Sequence, residues 1–204
     1  MIETDRFILR KITLSDAEDI FEYAKDEDTG PRAGWTPHKN IEETKGLIEM
    51  WIAPDCKEEQ FVIYDKTDKK VIGTMGLTIK EQVKDVRRVP INELILAGKK
   101  IYEIGITVSK KYWGKGVGTE TLKAMIDFLF ESRNADVVIT CHFAENIGSK
   151  KVQEKNNMRI LGQYERDDKW YNTECRTMIV RGKTREEWLA EHELTKDKLW
   201  KKLN

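Results

Sequence analysis

The sequence predicts a mixed α+β fold built around one sheet, and three observations carry that expectation. An apolar, β-branched run, Ile101-Tyr102-Glu103-Ile104-Gly105-Ile106-Thr107-Val108, leads into Trp113-Gly114-Lys115-Gly116-Val117-Gly118-Thr119-Glu120 and then into an apolar-periodic stretch from Leu122 to Phe130; the order is strand, glycine loop, helix. Segments of strand period and of helix period follow one another in mixed order around it, some of them spaced as antiparallel hairpins. A chain of 204 residues fits one domain with a possible appendage, and it is long enough to bury a sizeable core.

Taken in order, Arg6 to Ile12 reads as a strand, and Ser15 and Asp16 can cap a helix running to about Lys25. Residues 26–38, with Pro31 and Pro37, read as a loop. Asn40 can cap a second helix, Ile41 to about Ile52. Gln60 to Tyr64 and Val71 to Ile79 read as strands joined by the polar connection Asp65 to Lys70. The charged stretch 80–100, with Pro90 and Gly98, reads as a long excursion between strands; loops of that length are usually functional or mobile. After the strand over 101–108 and the glycine loop comes a helix from Thr119 to about Arg133, a strand from Val137 to His142 and a helix from Ile147 to about Asn156. Ile160 to Glu165 and Arg176 to Val180 alternate as antiparallel strands, and Thr184 can cap a final helix. The main domain is expected over 1–182, with a helical extension over 183–204. Trp188 and Trp200, with Leu189, Leu194, Leu199 and Leu203, give that extension an apolar stripe that can dock on its own domain or on a second subunit; monomer and homodimer both fit.

Composition narrows the function. Lys+Arg and Asp+Glu each number 36, so the formal net charge is zero, and nothing in that balance marks a nucleic-acid-binding surface. The three cysteines, Cys56, Cys141 and Cys175, are far apart and form neither a disulfide framework nor a metal spacing; reduced cytoplasm is the expected compartment. His38, His142 and His192 are scattered, and no metal is expected. No apolar run approaches the roughly 18 residues of a membrane span, and acidic residues at Glu3 and Asp5 leave no signal-peptide core.

The glycine loop is the chemical signature. Strand, glycine loop and helix turn backbone N–H groups and a helix N-terminus towards an anion, usually phosphate, and missing Cβ atoms let a phosphate approach the main chain. A Walker loop requires Lys before the Ser or Thr that follows its last glycine, whereas Thr119 follows Gly118 directly. A dinucleotide fingerprint requires a third glycine where Thr119 stands. What remains, Tyr112 to Glu120 between its strand and its helix, resembles the acetyl-CoA loop of the GNAT superfamily of N-acetyltransferases. That loop reads Gln/Arg-x-x-Gly-x-Gly/Ala and falls here on Trp113, Gly116 and Gly118; Trp113 departs from Gln/Arg. The spelling Tyr-Trp-Gly-Lys-Gly is similar to the ribosomal-protein N-terminal acetyltransferase branch. Glu3 to Arg10, Ile12 to Ala17, Trp35 to His38 with Ile41 to Thr44, and Asn146 to Lys155 resemble further segments of that branch in the same order. The resemblance spans about residues 3–180. It implies a mostly antiparallel central sheet, splayed at the cofactor site to admit the pantetheine arm, with helices on both faces.

What the resemblance implies for the site can be stated residue by residue. Backbone N–H groups across Gly114, Lys115, Gly116, Val117, Gly118 and Thr119, beside Trp113, bind the pyrophosphate of acetyl-CoA. Main-chain groups of Ile106, Thr107 and Val108 pair with the pantetheine arm by strand addition. Asn146 either bonds pantetheine or caps its own helix, and Ser149, three positions on and on the same helix face, meets the leaving sulfur. The tyrosine that many members place seven residues after the Asn is Gln153 here. Glu103 is the candidate general base, acting through water. A backbone N–H on the 104–108 strand is the candidate for polarising the carbonyl. Tyr164, Glu165 and Asn172 lie in the expected substrate-side hairpin, and Trp35 beside Pro37 either shapes the acceptor pocket or packs. The implied function is acetyl transfer from acetyl-CoA to a primary amine, of a protein N-terminus or a small molecule, by direct attack in a ternary complex. The alternative is a non-catalytic acyl-CoA-binding regulator.

Overall fold

A computed structural model describes residues 1–79, 98–167 and 175–193. Residues 80–97 of the expected excursion over 80–100, Trp170, Asn172 and the tail from Leu194 on, with Leu199, Trp200 and Leu203, lie outside the described residues.

Among the described residues eight strands form one sheet in the order β1-β2-β3-β4-β5-β6-β8-β7: β1 Ile2–Glu3, β2 Phe7–Lys11, β3 Glu58–Asp65, β4 Lys70–Ile79, β5 Ile101–Val108, β6 Val137–Phe143, β7 Arg159–Asp167 and β8 Cys175–Thr184. Neighbours run antiparallel except β5 and β6, which are parallel. The helices are α1 Ala17–Ala24, α2 Thr29–Ala33, α3 Ile41–Ile52, α4 Val117–Ser132 and α5 Ile147–Lys155, with residues 185–193 helical after β8.

Local chemistry explains most boundaries. Asn40 caps α3, its Oδ1 accepting from Glu43 N at 2.9 Å. The Asp65 carboxylate accepts the Thr67 and Asp68 N–H groups and turns β3 into β4, with Lys69 left-handed at φ 52°. Asn134 and Asn157, at φ 52° and 53°, take the left-handed position after α4 and α5 that asparagine tolerates at a helix end. Thr184 opens the terminal helix, its Oγ1 accepting from Glu187 N while the Glu187 carboxylate accepts Thr184 N. Two expectations need correction. Asp16 does not cap α1: its carboxylate turns back to accept Thr13 N at 2.8 Å and the guanidinium of Arg10 at 2.6 and 2.9 Å. Residues 26–38 are not all loop. Asp26 Oδ1 accepts the Asp28 and Thr29 N–H groups, and that anchor starts the short helix α2, which ends at Gly34 in the left-handed conformation, φ 87°.

Helices cover both faces. On one, Phe7, Leu9, Phe61, Ile63, Met75, Leu77, Tyr102 and Ile104 pack against Leu122, Met125, Ile126, Leu129 and Phe130 of α4. On the other, Val62 and Val71 pack against Ile20, Tyr23 and Ile48 of α1 and α3. The terminal helix docks on its own domain: Trp188 is 8% exposed in the α4 core, and its indole donates to Asp127 at 2.8 Å. Strand β8 runs through Thr184, opposite Val137, so residues 183 and 184 continue the sheet.

Beta strands five and six part company after three residues. Only Ile101, Tyr102 and Glu103 pair with Val137, Val138 and Ile139, although both strands run on for four residues or more. Beyond Glu103 the sheet is split, and the cleft sits there.

Candidate active site

The two rims of the cleft differ in what their backbone offers. Ser109 N donates to the Ile72 carbonyl on β4 at 2.8 Å. Backbone groups alternate between the two edges of a strand, so Ile106 and Val108 aim theirs into the cleft and Thr107 aims its own at β4, opposite Thr74. On β6 the Ala144 N–H turns to Thr177 on β8, so Cys141 and Phe143 face the cleft. Their carbonyls are occupied: Cys141 O accepts from Gln153 Nε2 at 3.4 Å, and Phe143 O accepts from Asn146 N at 2.8 Å and from His142 Nδ1 at 2.9 Å. On β5, Val108 O accepts the Trp113 indole N–H at 2.7 Å, while the groups of Ile106 have no partner on the cleft side among the described residues.

The glycine loop closes the β5 rim. A short turn over Lys110–Tyr112 leads to Trp113, and Gly114 and Gly116 are left-handed at φ 74° and 80°, a conformation that costs other residues about 1–2 kcal/mol. Gly116 is the N-cap of α4 and offers no side chain. The N–H groups of Val117, Gly118 and Thr119 therefore have no partner among the described residues, which is the arrangement that attracts phosphate. A Cβ on Gly114 would meet nothing within 4 Å. Gly118 has a different job: a Cβ there would lie 3.1 Å from Val152 Cγ2 on α5, so this glycine lets the two helices approach. Lys115 is exposed, with its ammonium 5.0 Å from the Tyr112 ring centroid. Thr119 gives its carbonyl to Asn156 Nδ2 at 3.2 Å.

Two residues that the sequence reading passed over hold this loop in place. Arg6 Nη1 donates to the Lys115 carbonyl at 3.0 Å, and its guanidinium is 2.7 Å from Glu120 on the first turn of α4. Glu120 also accepts the Thr4 hydroxyl at 2.7 Å. Burial pushes the Glu120 carboxyl up, but the hydrogen bonds from Thr4 and Arg6 outweigh it and hold the group below its ordinary value. On the other side Arg32 of α2 stacks 5.2 Å over Trp113. A pairing 114 residues apart, such as Arg6 with Glu120, leaves no local pattern to read.

Across the cleft Asn146 is spoken for. Its Oδ1 accepts Ser149 N at 3.0 Å as the N-cap of α5, and its Nδ2 donates to the Arg32 carbonyl at 2.9 Å. A cavity of about 440 Å³ lined by Glu27, Asp28, Arg32, Glu145, Asn146 and Arg176 opens beside it. Ser149 Oγ accepts from Gln153 Nε2 at 3.0 Å.

Glu103 lies where the strands part, on the face opposite α4. Cys141 Sγ is 3.6 Å from Glu103 Oε1. Tyr164 of β7 joins this group: burial first, then Cys141 and Glu103, push its phenol up to about 12, so it stays a hydrogen-bond donor near neutrality. Gly105, exposed in a central strand, pairs directly with Gly76 and leaves the floor beside Glu103 low. Trp35 packs on the α1–α3 cluster, against Gly30 of α2 and 5.3 Å from the His38 ring. No group of His, Cys, Asp and Glu among the described residues is placed to hold a metal, and no described helix is long and apolar enough to cross a membrane.

A split sheet, an open strand edge and an uncapped helix behind a glycine loop form a cleft suited to an anionic ligand with an amide-bearing arm. The acetyltransferase (GNAT) domain family matches residues 6–159, and the chain belongs to that family as an acetyl-CoA-dependent acetyltransferase. The uncharacterized N-acetyltransferase p20 of Bacillus licheniformis is 27% identical over 151 residues, 73% of this chain and 76% of the relative. Among solved structures, spermidine N-acetyltransferase from Vibrio cholerae in complex with CoA and spermine superposes with a TM-score of 0.69 at 17% identity, covering 91% of this chain and 99% of that one. Ribosomal-protein-S5-alanine acetyltransferase from Vibrio fischeri superposes with a TM-score of 0.64 at 20% identity, covering 91% and 97%. At these identities the structures establish the fold.

Proposed function

We propose that the protein transfers the acetyl group of acetyl-CoA to a primary amine by direct attack in a ternary complex. The observation that carries this reading is the convergence of the open Ile106 edge, the uncapped α4 N-terminus and Glu103 on one cleft. The diphosphate sits on the amides of residues 114–119, beside Trp113. The pantetheine amides continue the sheet along Ile106 and the Val108 N–H, the Val108 carbonyl staying with the Trp113 indole, which brings the thioester to the point where the strands part. A β5 amide then polarises the carbonyl. Glu103 takes the proton from the incoming ammonium, directly or through water, with Tyr164 beside it on the acceptor side. The neutral nitrogen attacks, the C–N bond forms as the C–S bond breaks, and CoA departs as the thiolate. The solved relatives named above acetylate spermidine and a ribosomal protein, so both a polyamine and a protein α-amine fit the acceptor class.

The test is thiol release from acetyl-CoA with spermidine, an alanine-initiated peptide and an aminoglycoside as acceptors. At least one is expected to be acetylated. Glu103→Gln should then lower kcat by about 100-fold, more at low pH, where the amine is charged, than at high pH. An unchanged pH–rate profile removes Glu103 as the base. Tight CoA binding without transfer to any amine across a broad panel would favour the regulator instead.

A further inference from the structure

Gln153 stands where the resemblance would place an acidic tyrosine, and the structure gives it a defined task. It is 1% exposed on α5, under the lip of the cleft. Its Nε2 lies 3.4 Å from the Cys141 carbonyl and 3.0 Å from Ser149 Oγ. A carbonyl only accepts hydrogen bonds, so the nitrogen end of the amide faces this pair and Ser149 Oγ is the acceptor in its bond with Gln153. The Ser149 backbone N–H is already bound to Asn146 Oδ1. A hydroxyl that accepts from Gln153 keeps its own proton for another partner. The bond from Gln153 is the one hydrogen bond that Ser149 Oγ makes among the described residues, so its proton has no partner there. The opposite end of the amide, Oε1, is buried without a donor among the described residues, a desolvation cost that a purely structural residue would not be expected to carry.

We propose that Gln153 is a positioning residue for acetyl transfer: it fixes Ser149 as a hydrogen-bond donor aimed into the cleft, where the CoA sulfur leaves. This rests on the acetyltransferase reading above. The proton balance is simple. Glu103 receives the proton lost by the amine and returns it to solvent. The electron pair of the breaking C–S bond stays on sulfur. Ser149 lends its O–H to that thiolate as a hydrogen bond without giving up the proton, and CoA takes a proton from water on release. Serine is far too weak an acid to protonate a thiolate, so orientation is what it contributes, and Gln153 supplies the orientation.

The experiment is a double-mutant cycle on the full chain, with acetyl-CoA and whichever of the amines above the wild type acetylates. Ser149→Ala is expected to lower kcat by about tenfold, the factor that one charge-assisted hydrogen bond of about 1.4 kcal/mol represents. Gln153→Met, which keeps the buried volume, is expected to lower kcat by a similar factor with KM for acetyl-CoA within twofold. The double variant is expected to be no slower than Ser149→Ala alone. If Gln153→Met costs the same factor with and without Ser149, its role is only structural and the inference falls. It also falls if Ser149→Ala transfers as fast as wild type, an outcome that does not depend on the Gln153 variants folding. A wild type that binds CoA and acetylates no amine overturns the acetyltransferase reading itself, and this inference with it.

Discussion

Two helices begin on opposite rims of the same cleft, and they treat their first turns in opposite ways. Helix α4 starts at a left-handed glycine with no side chain to offer, and its leading N–H groups stay open. Helix α5 starts at Asn146, whose side chain closes its own first turn and ties it to α2. The strands behind them follow suit: Ile106 on β5 is open, whereas Cys141 and Phe143 on β6 have their carbonyls taken by Gln153, Asn146 and His142. The difference assigns the halves. Among the described residues, the open strand edge and the open first turn that an anion with an amide-bearing arm needs lie on the β5–α4 side. On the β6–α5 side the cleft-facing carbonyls and the Ser149 N–H have partners, so what α5 presents to the reaction is side chains.

The sharpest way to break this comparison is to fill the open side. Gly116→Val forces a β-branched residue into a left-handed cap and puts a Cβ within 3.3 Å of the Arg6 guanidinium that holds the loop. We expect CoA affinity to fall by about 100-fold, on the order of 3 kcal/mol of strain and lost amide contacts, as read by calorimetry. Affinity within threefold of wild type, in a protein of unchanged fold, would mean that the diphosphate is held elsewhere.

The closed side predicts the reverse pattern. Asn146→Ala removes an N-cap and should cost about 1 kcal/mol of stability, a Tm loss of roughly 2–4 °C for a chain of this size, with CoA affinity within about twofold. Should CoA binding drop tenfold at constant Tm, the amide would be a cofactor ligand and the two rims would not differ as described.

How far the sequence shows this asymmetry depends on the range of the forces involved. Period and capping are local, and so β5 over 101–108, α3 behind Asn40 and α5 behind Asn146 were legible to within a residue or two. The loop glycines were legible for the same reason, since missing side chains are visible in a sequence. Helix α2 was not, because two prolines and two glycines around it argue against a helix, and its start rests on Asp26 bonding to N–H groups that only the folded turn brings within reach. Arg6 and Gln153 were hidden by distance. One acts on a loop more than 100 residues away, and the other reveals its purpose only through Cys141 on the neighbouring strand. The packing role of Gly118 was not legible, because its missing side chain makes room for Val152 on a helix some thirty residues away.

The smallest expected effect separates the two helices by pH. His142 sits on β6 beneath α5, 5% exposed, with Nε2 lacking a partner among the described residues. Burial pushes its imidazole below the ordinary value; the bond to the Phe143 carbonyl opposes this, Arg181 and Lys150 reinforce it, and Glu154 offsets them in part. A histidine held neutral in the fold but able to protonate when unfolded stabilises the protein fully above its unfolded pKa near 6.5. That contribution fades as pH drops below 6.5 towards the lower folded pKa, with a slope of at most about 1.4 kcal/mol per pH unit. Because Lys150 and Glu154 belong to α5, opening of α5 should become easier between pH 7.5 and 5 while α4 holds. Hydrogen exchange corrected for intrinsic rates should show α5 losing protection first, and His142→Asn should remove most of that pH dependence. His38, also held below its ordinary value by burial but located by α3, provides the control: its substitution should leave the α5 profile unchanged. If α4 and α5 lose protection together, the two rims form one cooperative unit and their difference is confined to which backbone groups they expose.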